Sequence, residues 1–233
     1  MAYEFLAVQK KDQVAVVTLN RPEKRNALSI ALRYEMDKCL KELEEDDEIS
    51  VVIITGSGLD FCAGFDLTEM RFEDPAHVKR FNESSNVYHT RLMNFKKPLI
   101  AAINGPALAG GLDLALLCDI RIAAEGASFA HPEIKFGSLV LFTALRDIIG
   151  GGLARELCLT GRRIYAAEAL RIGLVNQLVP SGRLLEAAKE TARTMAEAPR
   201  SGLEATKAMI IRSSEAVRGW QMEDLGASFG EKG

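Results

Sequence analysis

Apolar residues follow two rhythms along this chain. Unbroken runs, Val14 to Leu19, Val51 to Thr55 and Pro98 to Ile103, predict strands covered on both faces, because a strand with one wet face would alternate. A shorter run, Glu4 to Val8, precedes the first of these, and Lys10-Lys11-Asp12 between the two reads as a hairpin turn. Between the strands the period changes. Leu32, Met36, Cys39, Leu40 and Leu43 recur at helical spacing, which predicts an amphipathic helix beginning near Ser29 and ending in the acidic run Glu44 to Glu48. A second helix is expected from Pro75 to about Met93, and a third, almost wholly apolar, from Leu112 to Cys118 behind Gly110-Gly111. Ile120 to Ala123 and Ser128 to Ala130 read as short strands. From Thr143 the chain is mainly helical, with one more strand at Val175 to Val179. Gly173 suits the left-handed residue that closes a helix from Ala166 to Ile172. Strands alternate with helices in the first half and helices dominate the second, so the class is α/β with a helical C-terminal part.

Composition narrows the partners. The chain has 233 residues, 48% hydrophobic and 26% charged, enough to bury a sizeable core. Its net charge of -3 gives no electrostatic reason to expect nucleic acid. No apolar stretch approaches the ~20 residues of a membrane span, and the opening MAYEFLAVQKKDQ lacks the basic-then-apolar order of an export signal. Cys39, Cys62, Cys118 and Cys158 have no paired spacing and read as buried free thiols of a reducing compartment. The expectation is a cytoplasmic protein with no metal site.

Most motif-like patterns dissolve on inspection. Gly56-Ser57-Gly58 follows a strand, but the third glycine of a dinucleotide loop would fall at Phe61. Gly226-Ala227-Ser228-Phe229-Gly230 has no strand before it and no residues after it to complete a hydrolase triad. His77, His89 and His131 lack metal-ligand spacing, and His131 reads first as structural. Two glycine turns remain: Phe61-Cys62-Ala63-Gly64-Phe65-Asp66 and Ala109-Gly110-Gly111, each behind a buried strand. Such turns leave backbone N–H groups free, and two that converge would hold a developing oxyanion. Two carboxylates stand beside them. Asp113 interrupts an apolar helix three residues after Gly110, and Glu133 follows His131-Pro132. Paired carboxylates beside such donors suit proton transfer.

These residues, taken with Asn20 to Leu28, Phe61 to Met70, Lys97 to Gly137 and Leu159 to Pro180, resemble the enoyl-CoA hydratase/isomerase (crotonase) family over nearly the whole chain. The resemblance implies a spiral of ββα turns over residues 1–180, with two roughly perpendicular sheets. It implies a helical region, 181–233, that assembles trimers or dimers of trimers. It assigns the oxyanion donors to the N–H groups of Phe65 and Gly110, and the acids to Asp113 and Glu133. It places coenzyme A, carried by an acyl thioester substrate, near Lys24, Arg25, Ala27 and Leu28, with Ala63, Asp66 and Leu67 on the side of the first donor. No other cofactor is expected.

Three departures qualify the activity. Family hydratases carry two glutamates, and Asp113 is one methylene shorter. Family dienoyl-CoA isomerases carry an Asp and a Glu here plus a third acid, whose position matches about Leu141, an apolar residue counted here with the acyl pocket. Leu139 to Arg146 replaces a Pro-Gly-rich turn, and the chain stops soon after Trp220-Gln221-Met222-Glu223, where many relatives continue with a helix that contributes to the coenzyme A pocket. The resulting expectation is hydration of a 2-enoyl-CoA, with double-bond isomerisation as the rival and a non-catalytic acyl-CoA-binding subunit as the reading from another class.

Overall fold

The computed structural model describes residues 3–71 and 73–214. The chain opens with an antiparallel hairpin, β1 (Leu6–Lys11) and β2 (Val14–Leu19), followed by α1 (Ile30–Glu45) and β3 (Val51–Gly56). Next come α2 (Pro75–Asn94), β4 (Leu99–Ile103), β5 (Ala107–Leu108) and α3 (Gly110–Leu116). Then follow β6 (Ile120–Ala124), β7 (Ser128–Ala130), α4 (Phe142–Ile149), α5 (Gly151–Thr160), β8 (Ile164–Tyr165) and α6 (Ala166–Arg171). The described chain closes with β9 (Gln177–Val179), α7 (Leu184–Ala196) and α8 (Arg200–Ser213).

The strands form a six-stranded sheet in the order β1-β2-β3-β4-β6-β9, parallel apart from the hairpin, and a three-stranded sheet in the order β5-β7-β8. Steps from the large sheet to the small one lead on into helices: β4-β5-α3 is one such unit. β3 makes the same step through an isolated bridge between Cys62 and Ala107. This is the expected ββα spiral.

Both faces of the large sheet are covered, which is why its strands do not alternate in sequence. Val16, Val51, Ile53, Ile100, Ala102 and Ile122 pack beneath Leu184, Ala187, Ala188 and Ala192 of α7. Their neighbours Val17, Val52, Ile54, Ala101 and Ile103 face the other way, toward Leu32, Met36 and Leu40 of α1 and Leu92 of α2. Helix α1 begins as read: the Ser29 side chain accepts from the Leu32 N–H at 3.2 Å. Lys207 of α8 is buried, its ammonium 2.6 and 2.7 Å from the two Asp119 oxygens, which ties that helix to the spiral. All four cysteines are buried free thiols.

Several boundaries differ from the sequence reading, β1 and the last strand most of all, and β1 begins at Leu6 rather than Glu4. β1 runs through Lys11, and the hairpin turns at Asp12-Gln13, both with positive φ (50° and 64°). An edge strand with a solvated face accepts Gln9, Lys10 and Lys11. The last strand begins at Gln177 rather than Val175, because the Val175 and Leu174 N–H groups bond to the Ala169 carbonyl and close α6. Gly173 is left-handed there (φ 79°), as expected. Gly226 to Gly230 and Trp220 to Glu223 lie outside the described residues, as does the rest of 215–233.

Candidate active site

The two glycine turns are sewn together by backbone bonds. Phe61 and Cys62 both donate to the Pro106 carbonyl at 3.1 Å, and Leu108 donates back to Cys62 at 3.0 Å. The first turn is also held from the other side, where Leu28 donates to Gly64 at 2.8 Å and Asp66 to Leu28 at 3.3 Å. Close approach explains the glycines. At Gly64 (φ +94°) a Cβ would lie 2.8 Å from the Ala109 Cβ and 3.2 Å from the Gly110 nitrogen. At Gly111 it would lie 2.2 Å from the Cys62 carbonyl oxygen.

Ala109, the residue that caps α3, has φ 51° and ψ -130°, a conformation alanine adopts at a cost of about 1–3 kcal/mol. Its own N–H is anchored on the Ala130 carbonyl at 2.9 Å. That twist presents the Gly110 amide outward at the helix start. Among the described residues neither the Phe65 N–H nor the Gly110 N–H donates to a protein acceptor. The two unengaged donors therefore sit on touching turns, which is the arrangement an oxyanion hole needs.

Asp113 lies one helical turn beyond Gly110, its side chain 14% exposed and its Oδ1 without a partner. Burial pushes its pKa up to about 7; His131 opposes the shift and Glu133 adds to it. Glu133 stands in the 3-10 turn Pro132–Phe136 after β7. Its Oε1 is 2.9 Å from His131 Nδ1, and its Oε2 is buried without a partner. His131 is 1% exposed and lies between the acids, with Nε2 3.8 Å from Asp113 Oδ1. Burial favours its neutral ring, but the Glu133 hydrogen bond and the two carboxylates outweigh that and raise its pKa.

The residues expected near coenzyme A divide into two groups. Ala27 and Leu28 are buried beside the first turn, and Leu28 Cδ1 would lie 3.5 Å from a Cβ on Gly110. Half-buried Ala63 donates to the Arg25 carbonyl at 3.0 Å. Lys24 and Leu67 are exposed at the surface. Arg25 is engaged with Asp60 at 2.7 Å, which leaves less of its charge for a phosphate. Asp66 is buried and takes hydrogen bonds from Arg21 at 3.1 Å and the Thr68 hydroxyl at 2.7 Å, so its carboxylate braces the turn. Although burial alone would raise the Asp66 pKa, those bonds lower it. Leu141 is buried in the main core at the start of α4.

Sequence reasoning passed over Arg33. Its guanidinium is fully buried, 4.6 Å from the Phe65 ring centroid and 4.3 Å from that of Phe81, and no nitrogen of it has a hydrogen-bond partner. The signal was available, since Arg33 lies three residues before Met36 and seven before Leu40 on the buried stripe of α1. His131 reads as structural in the sequence, which does not show the 3.8 Å approach to Asp113 that packing makes.

The family model for enoyl-CoA hydratase/isomerase matches residues 9–225. A short-chain-enoyl-CoA hydratase of Clostridium acetobutylicum is 38% identical over 99% of this chain and 90% of its own length. A 2,3-dehydroadipyl-CoA hydratase of Escherichia coli is 40% identical over 91% of this chain and 84% of its own. Among solved structures, an enoyl-CoA hydratase from Mycobacterium avium superposes with a TM-score of 0.83 at 39% identity, covering 97% of this chain and 96% of the other. The family model spans most of the chain, and these relatives match it over nearly its whole length, so the chain belongs to the enoyl-CoA hydratase/isomerase family.

Proposed function

We propose that the chain adds water across the double bond of a 2-enoyl-CoA. In this reading the Phe65 and Gly110 N–H groups hold the thioester oxygen as it gains charge. Each such donor contributes roughly 3–4 kcal/mol to the transition state of an acyl reaction. Asp113 and Glu133 orient a water above C3. Glu133 Oε2 takes a proton from that water as its oxygen bonds to C3, and then returns a proton to C2 as the enolate collapses. The carboxyl is left as it began. No cofactor is required beyond the coenzyme A that the substrate carries.

The observation that supports this most is the pairing of two unengaged amides on touching turns with two acids that each keep one buried oxygen free. A non-catalytic acyl-CoA-binding subunit has no use for that pair. Isomerisation draws support from one feature: Glu133 keeps a buried oxygen, Oε2, free to carry a proton between carbons. The reading includes assembly as a homotrimer or a dimer of trimers through residues 181–233, and a cytoplasmic location.

Crotonyl-CoA is the probe. Hydration removes its conjugated thioester absorbance, and Glu133→Gln is expected to abolish most of that turnover while leaving affinity for acyl-CoA largely intact. A near wild-type rate in this variant would overturn the assignment of Glu133. A 3-enoyl-CoA that gains absorbance without taking up water would select isomerisation instead.

A further inference from the structure

Three buried polar atoms lie on His131 and the two acids beside it, His131 Nε2, Asp113 Oδ1 and Glu133 Oε2, and among the described residues none has a hydrogen-bond partner. The ring is fixed from several sides. The preceding residue, Ala130, accepts the Ala109 N–H at 2.9 Å, so the loop that carries His131 is tied to the turn that presents Gly110. Pro132 restricts the following backbone. Gly161, at the end of α5, packs so closely that a Cβ there would lie 2.9 Å from the His131 carbonyl oxygen. Such a clamp on a 1% exposed imidazole beside two acids exceeds what filling a core requires.

The hydrogen-bond inventory of the ring constrains where protons sit. With Nδ1–H donated to Glu133 Oε1 at 2.9 Å, Glu133 cannot rotate freely, and Oε2 becomes its one oxygen available to substrate. On the other side, Nε2 and Asp113 Oδ1 are 3.8 Å apart, one water or a small closure from bonding. A neutral ring offers Nε2 as an acceptor, which matches a protonated Asp113. A doubly protonated ring offers a donor, which matches ionised Asp113. One proton between the two satisfies both arrangements, and none leaves two acceptors opposed in a dry site.

We infer that His131 is a positioning residue that couples the two acids, pinning Glu133 through Nδ1–H and sharing a single proton with Asp113 through Nε2. The inference rests on the reading of Asp113 and Glu133 as the reacting acids. During hydration the shared proton stays between His131 and Asp113, while Glu133 takes a proton from water and gives one to C2. Nothing is consumed. Other titratable groups near this cluster are Cys62, Cys158 and Tyr88; burial holds the thiols at about 12 and about 11 and raises the Tyr88 hydroxyl well above its ordinary value, so all three stay neutral. The coupling also accounts for an aspartate in the first acid position. His131 supplies the polar contact that keeps the shorter carboxyl engaged.

Asparagine and glutamine separate the two halves of the role, because their amides can replace Nδ1 and Nε2 respectively. His131→Asn is expected to keep Glu133 pinned. It should lower kcat by about threefold to tenfold and remove from the pH profile the limb that the Asp113–His131 pair produces. His131→Gln loses the pin, and its kcat should fall by roughly 10- to 100-fold with KM within about twofold, the scale seen for partners that orient reacting groups. A nitrogen-labelled imidazole spectrum of the wild-type protein adds a test that needs no variant to fold. Nδ1 should stay protonated across neutral pH, and the Nε2 titration should move in Asp113→Asn. Wild-type kcat and pH profile in both His131 variants, or an unprotonated Nδ1, would overturn the coupling. If Glu133→Gln is inactive while both His131 variants behave as wild type, the coupling alone falls. If Glu133→Gln is active, the assignment of the acids falls with it.

Discussion

Backbone donors are poorly tested by changing their own side chains, but Gly64→Ala reaches them directly. The added methyl would stand 2.8 Å from the Ala109 Cβ, 2.9 Å from the Leu108 carbonyl oxygen and 3.2 Å from the Gly110 nitrogen, where ordinary contact begins at 3.4 Å. The two turns must therefore separate by about 0.5 Å, and the backbone bonds that sew them together offer little slack. A misplacement of ~1 Å costs on the order of a hundredfold in rate, and loss of a whole donor costs about 10²–10³, so kcat should fall by roughly 10- to 100-fold. Stability should fall as well. Alanine at φ +94° is strained, and overpacking adds about 1–3 kcal/mol. Initial rates with crotonyl-CoA give kcat, titration with a saturated acyl-CoA gives ground-state affinity, and thermal unfolding shows how much folded enzyme is present at the assay temperature. The expected pattern is a large loss in kcat with affinity changed by less than about fivefold, because the donors matter most when the oxygen carries charge. A folded Gly64→Ala protein with kcat within about threefold of wild type would show that these turns do not set the rate.

Asp113 links activity to stability with a defined sign. Its pKa is raised in the folded state to about 7 from 3.8, so between about pH 4 and 7 the folded protein holds a proton that the unfolded chain has lost, and stability falls as pH rises through that window. Asp113→Asn removes this penalty. The variant should be more stable by on the order of 4 kcal/mol near pH 8, with the gain gone below about pH 4; equal urea midpoints for the two proteins near pH 8 would contradict it. Asp113→Asn should also depress hydration more than isomerisation, and equal modest losses would remove the case for water activation. Arg33 is a second removable burden. Burial lowers its pKa to about 10, and two aromatic faces are its compensation in the absence of any hydrogen-bond partner. Contacts of that kind supply about 2 kcal/mol when desolvated, against several for burying the charge. Arg33→Met should therefore raise Tm by about 2–6 °C, and a lower Tm would mean that the guanidinium has a partner in solution.

The legible part of this fold is the part where burial is complete. β2, β3 and β4 were readable as unbroken apolar runs because α7 covers one face of their sheet and α1 and α2 the other. β1 was read too short because its outer half is an edge with lysines in water. The last strand was read too long because Val175 is as apolar as a strand residue, while its amide serves the end of α6. At the site, residue types were legible and directions were not. Gly64 and Gly110 announced turns, and Asp113 announced itself by interrupting an apolar helix. Nothing in an alanine announces φ 51°, yet Ala109 decides where the Gly110 amide points. The spacing of Arg33 on the buried stripe of α1 was there to read, but a pattern of apolar positions does not count a charge that shares their face.

The uneven placement of strain follows from the same division. The covered sheet concentrates favourable burial where no chemistry occurs, and its surplus stabilises a site that would not persist alone. Ala109 is twisted, two amides lack partners, and an aspartate is held dry. On the reading proposed above, a ligand that brings an oxygen to the amides and a water to the acids meets the last two demands, while Ala109 keeps its twist. On that reading the match is best when the oxygen carries negative charge, so the two donors favour an enolate over a neutral thioester. A core built to remove them would be more stable and would have no reason to act on the thioester.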